Sequence, residues 1–186
     1  SSDNYNTELD LRYDSGKKYQ SFLKKICKKI GLSFQSQIPD IHDFKTELAT
    51  KNLSGEMVEV FVSDLKSILF KQQQGFPKIE DRMMRLILDL DKMKIKSISP
   101  HLILGNFYLK NQLYEKAFFL FKGLLIPFSE DLRVYLGVMK AEYNRGNLEL
   151  AYEAAVQCEK SIRADSKKTF HSFLTELYFN KIELSI

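Results

Sequence analysis

An internal repeat of 34 residues constrains this chain more than any other feature. When Ala117 is aligned with Ala151, the same order of features recurs around each alanine. Each copy has an apolar helical segment, a short polar turn and a second apolar helical segment, with the turns at 110–112 and 144–147. Because one helix pair cannot bury its apolar face alone, such copies are expected to stack on one another.

The composition agrees with a helical protein. Only eight Gly and four Pro occur in 186 residues, which leaves few positions for the tight turns of an all-β fold. Apolar residues make up 44% and charged residues 28%, which is typical of a folded domain. No segment has the roughly 20 consecutive apolar residues of a membrane span. We therefore predict an all-α fold without a transmembrane helix.

The first half of the chain also carries helical patterns. The polar residues 1–16 are expected to form a flexible arm, and residues 17–30 place their apolar side chains on one stripe that ends before Gly31. A short helix is predicted from Asp40 to about residue 51, with Asp40 as its cap and Asp43 in its first turn. Two longer helices are predicted over about 54–73 and 79–93. Their predicted buried stripes are Met57, Val60, Phe61, Leu65, Ile68 and Leu69, and Met83, Leu86, Ile87 and Leu90.

The repeated segments resemble tetratricopeptide repeats. The first copy carries the family's residue types at Leu104, Gly105, Tyr108, Tyr114, Ala117 and Phe121; the second keeps Tyr135, Gly146, Leu148, Ala151 and Ala155, but has Met139 where the family has a small residue. Ser99 and Ser129 precede the first helix of each copy and are predicted caps. A third segment, 166–182, resembles the end helix that covers the last open face of such arrays.

This resemblance, which covers residues 98–184, implies a specific architecture. Antiparallel helix pairs would stack into a short right-handed solenoid. Residues 17–97 would form an N-terminal helical extension, either a degenerate repeat or a separate cap. The first helix of each pair would line a concave groove for a protein or peptide. The groove positions carried over from the family are Leu102, Asn106, Leu109, Lys110, Arg133, Leu136, Lys140, Tyr143 and Asn144, extended by Phe170 and Leu174.

The sequence contains none of the common catalytic motifs. It has no Gly-rich phosphate loop, no nucleophile elbow and no zinc-protease motif. Asp40, His42 and Asp43 form the one cluster of carboxylates and histidine, and a capped helix start explains it better than a metal site does. Cys27 and Cys158 have no metal-binding spacing and are predicted buried thiols. We predict no catalytic residue, metal or cofactor.

One predicted helix is strongly basic. Residues 17–30 contain six lysines and no acidic residue, namely Lys17, Lys18, Lys24, Lys25, Lys28 and Lys29. Such a helix is either the solvated side of a packed helix or a surface for anionic membranes. Nucleic acid is disfavoured as a partner because only Tyr19 and Phe22 accompany these lysines, and the apolar stripe already uses both.

These patterns predict a non-catalytic protein interaction module. A short chain of this type resembles the small bacterial chaperones of type III secretion, which bind apolar segments of translocator or needle subunits before export. The alternatives are a structural assembly factor or lipoprotein of a pilus or secretion machine, and a membrane-surface adaptor that uses residues 17–30. A cytoplasmic location is expected for the chaperone, and a periplasmic or membrane-anchored one if a leader was removed before Ser1.

Overall fold

The computed structural model describes residues 38–70 and 76–161, together with positions 17, 20, 21, 23–25, 27 and 28. These residues are helical or lie in connections between helices, and no strand occurs among them, which confirms the predicted all-α class. Helix α1 contains the described positions 17–28. The others are α2 Ile41–Ala49, α3 Gly55–Phe70, α4 Phe76–Lys92, α5 Ser99–Lys110, α6 Tyr114–Leu124, α7 Leu132–Asn144 and α8 Leu148–Ser161.

The described residues fall into two compact units. The central unit contains the residues from 38 to Leu120, and the terminal unit contains α1 together with the residues from Phe121 onward. The division therefore lies within helix α6. The predicted end helix over 166–182 and the arm over 1–16 lie outside the described residues, as does the side chain of Cys158.

Helix α2 begins as the sequence predicts. The Asp40 side chain accepts a hydrogen bond from the Asp43 backbone N–H at 2.9 Å, and the Asp43 carboxylate accepts one from the Asp40 backbone N–H at 2.9 Å. This reciprocal capping box satisfies two backbone donors that the first turn of a helix leaves unpaired. Both carboxylates of the predicted cluster thus serve the start of the helix.

The core of the central unit comes from one side of α2, α3 and α4 and from most sides of the first two turns of α5. Helix α3 packs against α2 and α4, and α5 packs against α4 and α2. The α4 stripe is buried as predicted, but Val60 on α3 is 61% exposed and Val62 is buried in its place. The buried stripe of α3 is therefore rotated relative to the prediction, because Val62 shares a face with Leu65 and Ile68. The largest of its fully buried side chains are Phe44, Leu48, Leu65, Ile68, Met83, Leu86 and Leu104.

One helix boundary in this unit differs from the prediction, and the predicted end of α3 near Gln73 lies outside the described residues. Helix α3 is described to Phe70, and α4 begins at Phe76 rather than near Ile79. Pro77 therefore lies in the first turn of α4 and does not precede the helix. A proline is tolerated there because the backbone N–H that it lacks has no partner inside the helix.

The N-terminus of helix α5 is capped by Glu47, a residue of helix α2. Ser99 is the first helical residue of α5, and Ile98 in the cap position provides no side-chain bond, so the prediction that Ser99 caps this helix is wrong. The Glu47 carboxylate on α2 accepts the Ser99 backbone N–H at 2.9 Å and the Ser97 hydroxyl at 2.7 Å, and it also accepts the Ser99 hydroxyl. Both serines are buried. A carboxylate at a helix N-terminus is favourable because the first backbone N–H groups point toward it.

The 34-residue repeat is visible in the backbone of the two turns. Gln112 and Gly146 both have positive φ, 60° and 82°. The residue that follows each of them donates its backbone N–H to a carbonyl five positions earlier. Leu113 bonds to Tyr108 and Asn147 bonds to Glu142, both at 2.9 Å. These bonds and the accompanying bonds from Gln112 and Gly146 form a Schellman motif at both helix ends. The two copies thus share the same turn between their helices, and the same motif also ends α4, where Lys94 has a φ of 56°.

In the terminal unit, α7 packs against α8 and is capped by Asp131. The Asp131 carboxylate accepts the Arg133 backbone N–H at 3.0 Å and forms an ion pair with the Arg133 guanidinium at 2.8 Å. The predicted cap, Ser129, lies two residues before the actual one, because the turn that follows α6 extends through Glu130. Gly137 in α7 lies against the ring of Phe121.

Candidate partner-binding surface

The predicted groove residues of the first copy lie on α5 in the central unit. Leu102 is 6% exposed and belongs to the core of this unit. Asn106 and Leu109 are half-buried, and Lys110 at the end of the helix is exposed. Leu102 thus offers little surface to a partner, whereas the other three side chains reach solvent.

The predicted groove residues of the second copy lie on α7 in the terminal unit. Leu136 is 1% exposed and is a core residue. Arg133 is paired with Asp131, and the Asn144 amide donates a hydrogen bond to the Lys140 backbone carbonyl at 2.7 Å. Lys140 and Tyr143 are half-buried and one helical turn apart. The helix therefore presents a cation, a phenol and an amide on one face.

Lys140 has the most distinctive electrostatic setting on this face. Burial lowers the pKa of its ammonium group, because desolvation disfavours the charged form. No ion pair joins it to another residue in the described part of the chain. A ligand carboxylate or carbonyl oxygen could therefore bind at Lys140 without displacing an acidic residue described here.

The positions of Phe170 and Leu174, which were predicted to extend the groove, lie outside the described residues. The remaining groove residues belong to two units and form two helix faces, one in each unit. The α5 face contains Asn106, Leu109 and Lys110. The α7 face contains Arg133, Lys140, Tyr143 and Asn144.

A buried carboxylate supports the end of the α7 face, and the sequence analysis missed it. Glu142 is 1% exposed, and it accepts hydrogen bonds from Arg145 at 2.7 Å and from the Asn147 amide at 2.9 Å. These bonds pair the charge and tie the end of α7 to the start of α8. The repeat pattern could have indicated this residue. Glu142 lies 34 residues after Tyr108, and so it occupies the position that this family-type residue holds in the first copy.

The corresponding position in the first copy is also involved in a polar contact. The Tyr108 hydroxyl donates a hydrogen bond to Glu80 at 3.2 Å, and Lys116 pairs with the same carboxylate at 3.0 Å. Burial, followed by the nearby Glu80 charge, raises the pKa of Tyr108 to about 12. The phenol therefore keeps its proton and donates it in a hydrogen bond to Glu80, and this cluster connects α4, α5 and α6.

A cleft of about 430 Å³ lies in the terminal unit beside the α7–α8 turn. Gln20 and Leu23 of α1 form one side of it, and the turn and the first residues of α8 form the other. Both polar and apolar groups line this cleft. Its lining on the second side is Gly146, Asn147, Leu148, Glu149 and Leu150.

Helix α1 separates apolar from basic residues, as the sequence predicts. Leu23 and Cys27 are buried, and burial raises the pKa of the Cys27 thiol to about 11. Lys17, Lys24, Lys25 and Lys28 are exposed. Lys18 and Lys29, the other two lysines of the predicted basic surface, lie outside the described residues.

Neither a metal-binding cluster nor a membrane-spanning helix occurs among the described residues. They contain no group of three or more His, Cys, Asp or Glu side chains arranged to hold a metal ion. Among them, no helix is both long and apolar enough to cross a bilayer.

Comparison with known proteins gave no relative. No family model, no curated protein and no solved structure matches this chain. The resemblance to tetratricopeptide repeats therefore depends on the residues of the two copies and the turns that they form.

Proposed function

We propose that this protein is a non-catalytic interaction module of the tetratricopeptide type, which binds an extended or helical segment of a partner protein. The observation that carries the proposal is the pair of matching Schellman turns at Gln112 and Gly146, 34 residues apart. Repeated helix pairs of this length serve many proteins as scaffolds for peptide binding. Within this class, we favour a chaperone for an aggregation-prone secretion substrate.

The α7 face is the best-supported contact surface for such a segment. Arg133 is fixed by Asp131, and the Asn144 amide is fixed by a backbone carbonyl, so both are positioned in advance. Lys140 and Tyr143 add a partly desolvated cation and a phenol. Partly buried charged and aromatic side chains contribute more to binding than fully solvated ones. A partner with an acidic or carbonyl group flanked by apolar side chains suits this arrangement.

The absence of catalysis is part of the same proposal. Asp40 and Asp43, the one carboxylate pair that the sequence places beside a histidine, bond to each other's backbone N–H groups. Glu47, Glu80 and Glu142 also have structural partners. The described carboxylates with buried or half-buried settings thus hold helices together.

Site-specific photocrosslinking tests the proposal. A photoreactive residue is placed at Lys140, and in a matched protein at Gln157, which is exposed on α8. Both proteins are expressed in the organism of origin, and the crosslinked products are identified by mass spectrometry. We expect one partner to crosslink from position 140 and not from position 157.

A second variant decides whether the α7 face provides the affinity. Tyr143→Ala should reduce the yield of the crosslink from position 140, while Glu153→Ala on α8 should leave it unchanged. Circular dichroism establishes that both variants fold. Equal crosslinking from positions 140 and 157, or a yield that does not respond to Tyr143→Ala, would rule out this face as the binding site. An exported substrate as the captured partner would support the chaperone, whereas a component of an envelope machine would support an assembly factor.

A further inference from the structure

The described lysines of α1 form a basic stripe along the exposed side of the helix. At 3.6 residues per turn, Lys17, Lys24 and Lys28 lie on one side of a helix, with Lys25 beside them. From first to last they span about 16 Å along the axis. Ser21, which lies within the stripe, is also exposed. Among the described residues, Lys24, Lys25 and Lys28 form no ion pair.

The described apolar residues of α1 pack inside the terminal unit. Leu23 and Cys27 are buried, and Leu23 lies beside the α7–α8 turn, where it lines the cleft with Gln20. An amphipathic helix that inserts into a membrane must place its apolar side among the lipid chains. Helix α1 cannot do so without leaving its unit, so contact with a membrane would fall to its exposed, charged side.

We propose that the lysine stripe of α1 docks the protein on membranes that carry anionic lipids, by electrostatic attraction and without insertion. Lysine is a compact point charge without the bidentate geometry that arginine offers to a fixed phosphate. A fluid bilayer suits such a stripe, because anionic lipids can move laterally to sit beneath each charge. Each lysine near an anionic membrane strengthens binding about fivefold.

Two features favour a membrane over a nucleic acid as the occupant. Sequence reading and single-strand binding require groups that bond to base edges or stack on bases. The described residues of the stripe are Lys17, Ser21, Lys24, Lys25 and Lys28, which include no arginine and no aromatic residue. This surface is separate from the partner face on α7, so either proposal can fail without the other.

Vesicle co-sedimentation of the full chain tests the proposal. The protein is mixed with vesicles of phosphatidylcholine alone or of phosphatidylcholine with phosphatidylglycerol, at salt concentrations from about 0.02 M to about 0.5 M. We expect binding to the anionic vesicles only, and release at the high salt concentration. Binding that persists at high salt would show insertion of apolar residues and would overturn the proposal.

A charge-matched pair of variants locates the surface. The triple variant Lys24→Glu, Lys25→Glu, Lys28→Glu should bind anionic vesicles at least about 100-fold more weakly. The control, Lys51→Glu, Lys66→Glu, Lys78→Glu, changes the net charge equally at exposed lysines of the central unit and should bind like the wild type. Equal losses in both variants would mean that net charge alone drives binding, which contradicts the proposal.

Two further measurements cover a variant that does not fold and a stripe that binds nucleic acid. If the glutamate variant of α1 fails to fold by circular dichroism, the corresponding glutamine variant replaces it, with an expected loss of about 100-fold. A short DNA duplex is titrated under the same low-salt conditions. Binding to the duplex together with no binding to anionic vesicles would assign the stripe to nucleic acid and would overturn the membrane proposal.

Discussion

The ring of Phe121 packs directly against the backbone of Gly137, at the place where a Cβ atom on residue 137 would lie. The ring atoms nearest to that position are Cγ, Cδ1 and Cε1. Only a residue without a side chain allows this contact. The repeat pattern places a small residue two positions later, at Met139, and the structure shows the close approach at Gly137.

Replacing this glycine should therefore destabilise the protein. We expect Gly137→Ala to lower the free energy of unfolding by about 1–3 kcal/mol, because the Phe121 ring must move out of a packed position. Chemical denaturation measures the change. Gly123→Ala is the control, since a Cβ there meets open space and alanine favours the helix by about 1 kcal/mol.

A double variant identifies the ring as the cause. In a protein that already carries Phe121→Leu, adding Gly137→Ala should cost clearly less than it costs in the wild type. The same cost in both backgrounds would mean that another neighbour of Gly137 sets the penalty.

Gln112 and Gly146 occupy equivalent positions in the two turns, and we predict that substitutions there change the stability in opposite directions. Gln112 and Gly146 share a left-handed conformation, which strains a residue with a side chain. Gln112→Gly should stabilise the protein by about 0.5–1 kcal/mol, and Gly146→Ala should destabilise it by about 1–2 kcal/mol.

Thermal or chemical unfolding of both turn variants checks this pair. Gly55→Ala serves as the reference, because Gly55 begins a helix with ordinary φ and open space around it. If Gly146→Ala were as stable as the wild type, the second turn would not depend on the left-handed residue.

The helix content and the repeat period could be predicted from the sequence because both depend on local patterns. The spacing of Met83, Leu86, Ile87 and Leu90 predicts the buried face of α4, and the Asp40 box predicts the start of α2. The cap of α5 could not be predicted in this way. Its partner Glu47 lies 52 residues away in the sequence, and nothing local distinguishes this glutamate from a solvated one.

The candidate site was predictable to a smaller extent. Family positions indicate which residues lie on α5 and α7, but they do not show that Leu102 and Leu136 are buried in the core. Burial depends on what packs against a helix, and a single chain pattern does not specify that. Glu142 is a charged residue that the core accepts, which the sequence pattern also does not specify. Its carboxylate is paired only because Arg145 and Asn147 fold back toward it.

Removing the Glu47 carboxylate should be costly. Glu47→Ala leaves the buried Ser97 hydroxyl and the Ser99 N–H without their acceptor, so we expect a loss of at least about 2 kcal/mol in the free energy of unfolding. Glu59→Ala is the matched control. Its carboxylate forms an exposed ion pair with Lys45 at 3.5 Å, and its removal should cost less than about 1 kcal/mol. Similar losses in the two variants would contradict the capping role.

The stability of the protein should depend on the protonation of His101. Burial lowers the pKa of His101 below its ordinary value of 6.5, against the weaker opposite effects of Asp91 and Glu47. The neutral form is therefore favoured in the folded state. This contribution to stability is complete above the unfolded pKa and is lost as the pH falls through the folded pKa.

Denaturant unfolding at about pH 7.5 and about pH 5.5 measures this effect. The wild type should lose more stability between these two values than His101→Gln does, because glutamine does not titrate. Identical pH dependence in the two proteins would show that His101 does not contribute.

We expect the bond between Glu47 and Ser99 to order events during folding, because its two partners are 52 residues apart in the chain. Helix α5 has no side-chain cap of its own, so we expect its first turn to be completed only after α2 is in place. During synthesis the chain emerges from its N-terminus, and Glu47 is therefore already outside the ribosome when Ser99 appears. Glu47, the acceptor, is therefore present before Ser99, its donor. We expect this order to shorten the time for which the buried N–H of Ser99 lacks a partner.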